Sequence, residues 1–244
     1  PTFKALSEDA SRWVRVSAYQ TLGYFIHTMR REDISPMFLK LFTDMAFQSE
    51  GGDSDFAEYC AFSFPAVAQV IGKDRWREVD DAFSTLLKDV QWKVRKSLAY
   101  SLHELAQIVG TDIAERSLVS AFELFLRDLD EVKLGVLQNA DIFISVLTPA
   151  QRERFIPMIC NVPADSENWR LRNLVAAKLG HLAKLVSPEV CSASIADMTH
   201  KLLDDSVTEV RSSTFHSAAQ LLVHLYPSPQ HYQDFLGKIH SLIF

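Results

Sequence analysis

The chain has 244 residues, 48% hydrophobic and 23% charged, with only 8 Gly and 9 Pro. That apolar share excludes disorder as the overall state, and a Gly content under half of the usual share of about 7% excludes a chain rich in tight hairpin turns. The net charge of −6 argues against a dedicated nucleic-acid binder, which needs a basic excess to neutralise phosphates.

Residues 1–6 read as the tail of a helix; the chain opens at Pro1 without a Met and reads as a piece of a longer protein. Apolar periodicity then predicts helices over 12–31, 36–47, 56–71, 74–88, 92–109, 112–127, 130–146, 149–160, 168–186, 188–203, 207–225 and 229–243. Start signals separate them: Ser35-Pro36, Gly72-Lys73-Asp74, Gly110-Thr111-Asp112, Thr148-Pro149, Ser187-Pro188 and Ser228-Pro229. Ser or Thr caps a helix, and Pro at the first helical position loses nothing, because its missing N–H would be unbonded there anyway. Thr148 with Gln151, and Ser206 with Glu209, have capping-box spacing. One stretch reads as an acidic loop, native or shortened: residues 48–55, with Glu50, Gly51, Gly52, Asp53 and Asp55. The weakly polar run from Tyr59 to Gly72 is too short to span a bilayer, which takes about 20 residues.

The helices repeat. The series Val94, Leu98, Leu102, Leu105, Val109 traces one helical face, and the same steps recur from Val14, Phe56, Val132, Leu171 and Val210. These six anchors are spaced 42, 38, 38, 39 and 39 residues apart. A second feature keeps the same beat. The residue after the anchor is basic at Arg15, Arg95, Lys133, Arg172 and Arg211, and an Asp precedes it at Asp9, Asp89, Asp128, Asp165 and Asp205. Each unit therefore holds two helices, and the length holds about six units in a single array over 1–244.

No Gly-rich phosphate loop, nucleophile elbow or His-Glu-x-x-His is present. The cysteines Cys60, Cys160 and Cys191 stand singly in apolar contexts, no two at zinc-ligand spacing. They read as small buried hydrophobes in a reducing compartment, cytoplasmic or nuclear. The sequence thus predicts no catalytic residue, no metal site and no cofactor.

A period near 39, two helices per unit and an Asp ahead of a Val-Arg pair resemble the HEAT repeat. The resemblance implies an all-α fold, an α-solenoid of about six HEAT-type hairpins, in which the Asp and Arg hydrogen-bond from repeat to repeat. His103-Glu104 is the one His-Glu pair, and a HEAT-like di-iron hydroxylase needs several. Further segments are more specific: Glu58 to Pro65, Asp89 to Arg95, Leu102 to Ala106, Phe125 to Val132 and Asn168 to Arg172. They are similar to the regulatory-subunit-1 family of protein phosphatase 4, most densely from about Tyr59 to Arg172. That likeness implies a non-catalytic subunit that binds a Ser/Thr phosphatase catalytic subunit and directs it to phosphoprotein substrates, with no nucleic acid or membrane involved. The alternative is a HEAT-type transport receptor or adaptor that binds peptide segments.

The turns inside the hairpins supply candidate contacts. Trp13, Trp92 and Trp169 each stand one or two residues before an anchor. Trp beside Lys or Arg in a turn is the composition of a binding hot spot, and also of a Trp packed on the next repeat's turn. In related phosphatase scaffolds these turns receive the catalytic subunit. By position, the candidates are Trp92, Lys93, Asp130, Glu131, Asn168, Trp169 and Arg170.

Overall fold

The computed structural model describes residues 2–47, 55–164 and 166–242, and no strand occurs among them. The predicted loop residues Glu50, Gly51, Gly52 and Asp53, and the predicted ladder residue Asp165, lie outside the described residues; Asp55 opens a helix.

Contacts divide the chain into two compact units, Pro1–Val136 and Leu137–Phe244. In the first unit α1 (Thr2–Ser7) precedes α2 (Arg12–His27). Helix α3 (Pro36–Asp44) runs into a 3-10 turn and precedes α4 (Asp55–Ile71). Helix α5 (Asp80–Leu86) precedes α6 (Trp92–Val109). A short α7 (Thr111–Ile113) passes through a π turn into α8 (Val119–Phe125), which α9 (Asp130–Gln138) follows. The second unit holds α10 (Ala140–Val146), α11 (Pro149–Asn161) and α12 (Trp169–Ala183). Next come α13 (Pro188–Val190), a second π turn, α14 (Asp197–Leu203), α15 (Thr208–Leu225) and α16 (Pro229–His240).

The anchor faces form the core because each apolar step returns to the same side of its helix. Val94, Leu98, Leu102, Leu105 and Val109 are all buried, as are the series from Phe56, Val132 and Val210. Thr214, the polar member, is buried with its hydroxyl donating to the Val210 carbonyl, 2.6 Å away. The anchor helices lie side by side: α2 on α4 and α4 on α6 in the first unit, and α12 on α15 in the second.

The structure corrects the sequence in several places. Val14 and Val186, members of the anchor series, are only half-buried, and α12 stops at Ala183 rather than 186. Helix α2 ends at His27 rather than 31, and its buried face uses Ile26 while Phe25 is exposed. The predicted helix 74–88 is instead a 3-10 turn, Lys73–Glu78, and then α5. There the Trp76 ring fills the core against Phe64 and Phe83, and its indole N–H donates to Asp80 at 3.0 Å. The predicted helix 130–146 breaks at Asn139, whose φ of −130° and ψ of 33° are not helical. Finally, α15 starts at Thr208 with Val207 as its cap, so Ser206 lies outside the helix, and Asp205 accepts the Val207 N–H at 2.9 Å instead.

The ladder is present, and its geometry explains why Arg is used. The Arg95 guanidinium donates to the Asp89 and Val90 carbonyls of its own turn at 2.6 and 3.2 Å. It also forks onto Asp128 of the next hairpin at 2.6 and 2.8 Å. Arg172 repeats this in the second unit, bonding the Ser166 and Glu167 carbonyls and forking onto Asp205 at 2.6 and 3.1 Å. Arg15 and Arg211 close their own turns through the same pair of carbonyls. Lys133 has no planar fork and pairs locally with Asp130 at 3.5 Å.

Two glycines stop anchor helices. Gly72 ends α4 and Gly110 ends α6, with φ of 69° and 76° and ψ near 175°, a region essentially reserved for Gly. A Cβ at Gly110 would meet nothing within 4 Å, so only the backbone demands glycine there. Gly110→Ala is expected to destabilise the chain by about 1–3 kcal/mol, and Gly110→Asn to recover little, because Asn favours the left-handed helical region and not this one. Chemical denaturation checks both.

The hydrogen bond from Arg95 holds the Asp128 carboxyl below its ordinary pKa, and Arg172 does the same for Asp205, although burial opposes both shifts. A depressed folded pKa means stability that is complete above the ordinary carboxylate value of about 3.9 and is lost as pH falls through the depressed value. The side chains of Arg95 and Asp128 are mostly shielded, so Asp128→Asn should cost about 2 kcal/mol at neutral pH. The gap between variant and parent should narrow as thermal melts are taken at pH values falling ever further below the ordinary carboxylate value of about 3.9.

Candidate protein-interaction site

All seven candidate residues occupy the entry to an anchor helix, but they fall in both compact units. Trp92 and Lys93 open α6, and Asp130 and Glu131 open α9, in the first unit. Asn168 caps α12, which Trp169 and Arg170 open, in the second.

Their local chemistry differs. Trp92 is 37% exposed, and the Lys96 ammonium lies 5.6 Å from its ring centroid, one helical turn further on. Asp130 pairs with Lys133 in its own helix, while Glu131 points to solvent. The Asn168 side chain accepts the Arg170 N–H at 3.1 Å, which satisfies one of the open donors at the start of α12. The Arg170 guanidinium lies 5.0 Å from the Trp169 ring centroid, within cation–π range. Trp13 is 77% exposed, so it too is presented by its turn rather than buried in it.

In the first unit the structure joins Trp92 and Lys93 to residues that the turn-based reading passed over. A groove of about 790 Å³ runs along α2, α4 and α6. Tyr24, Phe62, Trp92, Lys93, Lys96 and Tyr100 line it. Phe62 is 64% exposed on a helix whose two other phenylalanines, Phe56 and Phe64, are buried. Trp92, Lys96 and Tyr100 follow one another at steps of four along α6, and Lys96 sits 5.8 Å from the Tyr100 ring as well. That stripe was available to a sequence search for aromatic and basic residues at helical spacing off the anchor face. Tyr24 and Phe62 carried no such signal, because their exposure depends on which helices abut.

The groove wall on α4 contains Pro65, which has no N–H to offer its helix, and Ala66. The Ala66 carbonyl accepts the His27 Nδ1–H at 3.3 Å, tying α2 to α4 along the groove. Among the described residues no cluster of three or more His, Cys, Asp or Glu side chains could hold a metal ion. No helix of the described residues is long and apolar enough to cross a membrane. His103 lies 3.9 Å from Glu104.

The fold defined by these hairpins is a helical-repeat α-solenoid. A designed armadillo repeat protein shares it, with a TM-score of 0.54 at 14% identity over 91% of this chain and 99% of its own. So does Cex1p, with a TM-score of 0.61 at 12% identity over 98% of this chain and 56% of its own. At such identities the likeness is one of fold alone. Sequence carries the comparison further, because residues 60–162 match the family described as protein phosphatase 4 regulatory subunit 1 middle domain. The human and mouse proteins named serine/threonine-protein phosphatase 4 regulatory subunit 1 are each 35% identical over 176 residues, or 71% of this chain. The chain resembles protein phosphatase 4 regulatory subunit 1, and the matched stretch spans 18% of the length of those relatives.

The cysteines behave as the sequence predicts for small core residues. All three are buried; burial pushes the Cys60 thiol far up, and raises those of Cys160 and Cys191 to about 12. Thiolate is the reacting form, so a thiol reagent at pH 8 should label none of them in the folded chain and all three in denaturant. Mass spectrometry after labelling reads the result.

Proposed function

We propose that the chain is part of a non-catalytic regulatory or scaffold subunit that binds a Ser/Thr protein phosphatase catalytic subunit and directs it to phosphoprotein substrates. The observation that carries this reading is the 35% identity to phosphatase 4 regulatory subunit 1 over 71% of the chain. The mechanism would be positioning. The helical array holds enzyme and substrate together, while the hydrolytic machinery belongs to the partner, so the chain itself needs no cofactor. The hairpin entries support the reading by their composition: Trp92 with Lys93 and Lys96, Asp130 with Glu131, and Trp169 with Arg170. Exposed Trp beside cations supplies contact energy, and charges of both signs supply register and on-rate. In this reading the chain works in the cytoplasm or nucleus and contacts neither nucleic acid nor membrane.

A purified phosphatase 4 catalytic subunit should co-elute with the chain on size exclusion. The double variant Trp92→Ala, Trp169→Ala should keep its helical circular dichroism and bind at least about tenfold more weakly. Undiminished binding by that folded variant would remove the site assignment. Recovery of transport or coat components in place of a phosphatase would replace the reading with that of a transport receptor or adaptor.

A further inference from the structure

The groove along α2, α4 and α6 shares Trp92, Lys93 and Lys96 with the proposed catalytic-subunit contact and extends beyond them to Tyr24, Phe62 and Tyr100. Its floor is aromatic: Tyr24, Phe62, Trp92 and Tyr100 all keep substantial ring surface in solvent. Large apolar side chains left exposed together, rather than singly, mark a surface that is covered by something. Its length selects the shape of the occupant. The lining residues of α6 run from Trp92 to Ile108, about 24 Å along a helix axis, the reach of about seven residues of extended chain. An aromatic trough of that length suits an extended peptide better than a compact small molecule. Gln69 and Ser97 line the same walls, and neither side chain is hydrogen-bonded among the described residues, so both are open to a peptide backbone.

Charge selects the composition. Lys93 and Lys96 stand on the first turns of α6, and neither pairs with a carboxylate among the described residues. Two carboxylates also line the groove. Glu104 stands two turns beyond Lys96, and Glu58 stands on the first turn of α4. The charges are therefore divided along the groove, with the two lysines at the start of α6 and Glu104 further along the same helix. The cations are also placed for recognition: Lys96 lies 5.6 and 5.8 Å from the Trp92 and Tyr100 centroids, so it borders the apolar floor.

We propose that this groove binds an extended peptide segment that lays a bulky apolar side chain on Phe62, Trp92 and Tyr100 and an acidic side chain on Lys93 and Lys96. The asymmetric charge fixes the direction of the segment, with its acidic end towards the start of α6. The test is selection of random dodecapeptides displayed on phage against the immobilised chain, followed by measurement of the enriched peptides by fluorescence polarisation. The enriched sequences should pair an aromatic or aliphatic residue with a neighbouring Asp or Glu. Lys96→Glu and Phe62→Ala, each folded by circular dichroism, should each weaken the binding about tenfold or more. Lys96 is a surface position, so its charge reversal remains a valid test even if Phe62→Ala fails to fold. Enrichment of basic peptides, binding unchanged by Lys96→Glu, or no enrichment at all overturns the proposal. The variants differ from the Trp pair that tests the phosphatase reading. A chain that captures acidic peptides but no catalytic subunit, or the reverse, therefore separates the two.

Discussion

A turn between antiparallel helices leaves carbonyls pointing at nothing, and this chain answers that need with arginine. The guanidiniums of Arg15, Arg95, Arg172 and Arg211 each bond two carbonyls of the turn that precedes their own helix. A planar group with five fixed donors can do this and still fork onto a carboxylate elsewhere. Arg95 and Arg172 do so, each reaching an Asp 33 residues on, in the following hairpin. The same Asp residues accept a backbone N–H at the start of the next helix, Asp128 from Leu129 and Asp205 from Val207. One repeating linkage thus closes a turn, joins it to its neighbour and opens the next helix. The apolar anchor faces supply the bulk of the stability, but they are non-directional, and the arginine linkage is what holds neighbouring turns in register.

The functional surfaces follow from that register. Within each unit, setting one anchor helix against another leaves its entry and one side in solvent. Residues there are free of packing duties, and the chain fills them with Trp, Tyr, Lys and Glu. Trp92 shows the division: two residues before the buried Val94, it is 37% exposed and stacked with Lys96. Trp76, by contrast, lies in the core against Phe64 and Phe83, presented there by a 3-10 turn.

Much of this was legible in the sequence because it is local and repeated. The steps of four and three along each anchor series give the helix and its buried face together. The Ser-Pro and Thr-Pro pairs mark helix starts, and α3, α11, α13 and α16 begin at those prolines. The repeat period makes each observation count several times, and the Asp and Arg positions were found by period alone. The break at Asn139 and the π turns at Ala114–Leu118 and Cys191–Ala196 left no such trace, since an apolar pattern averages over the small shifts that create them.

The sequence by itself determined the helical class, the period, the anchor residues and the candidate turns, because each depends on residues a few positions apart or on recurrence near 39. Only the tertiary structure decided that Trp92 and Lys93 share a groove with Tyr24, Phe62 and Tyr100. Exposure is a property of what lies alongside, and Tyr24 and Phe62 line the same groove as Tyr100 because α2 packs on α4 and α4 on α6. Tertiary structure likewise showed that Arg95 reaches Asp128 while Lys133 stays with Asp130, a difference set by the reach and fork of the side chain rather than by its place in the repeat.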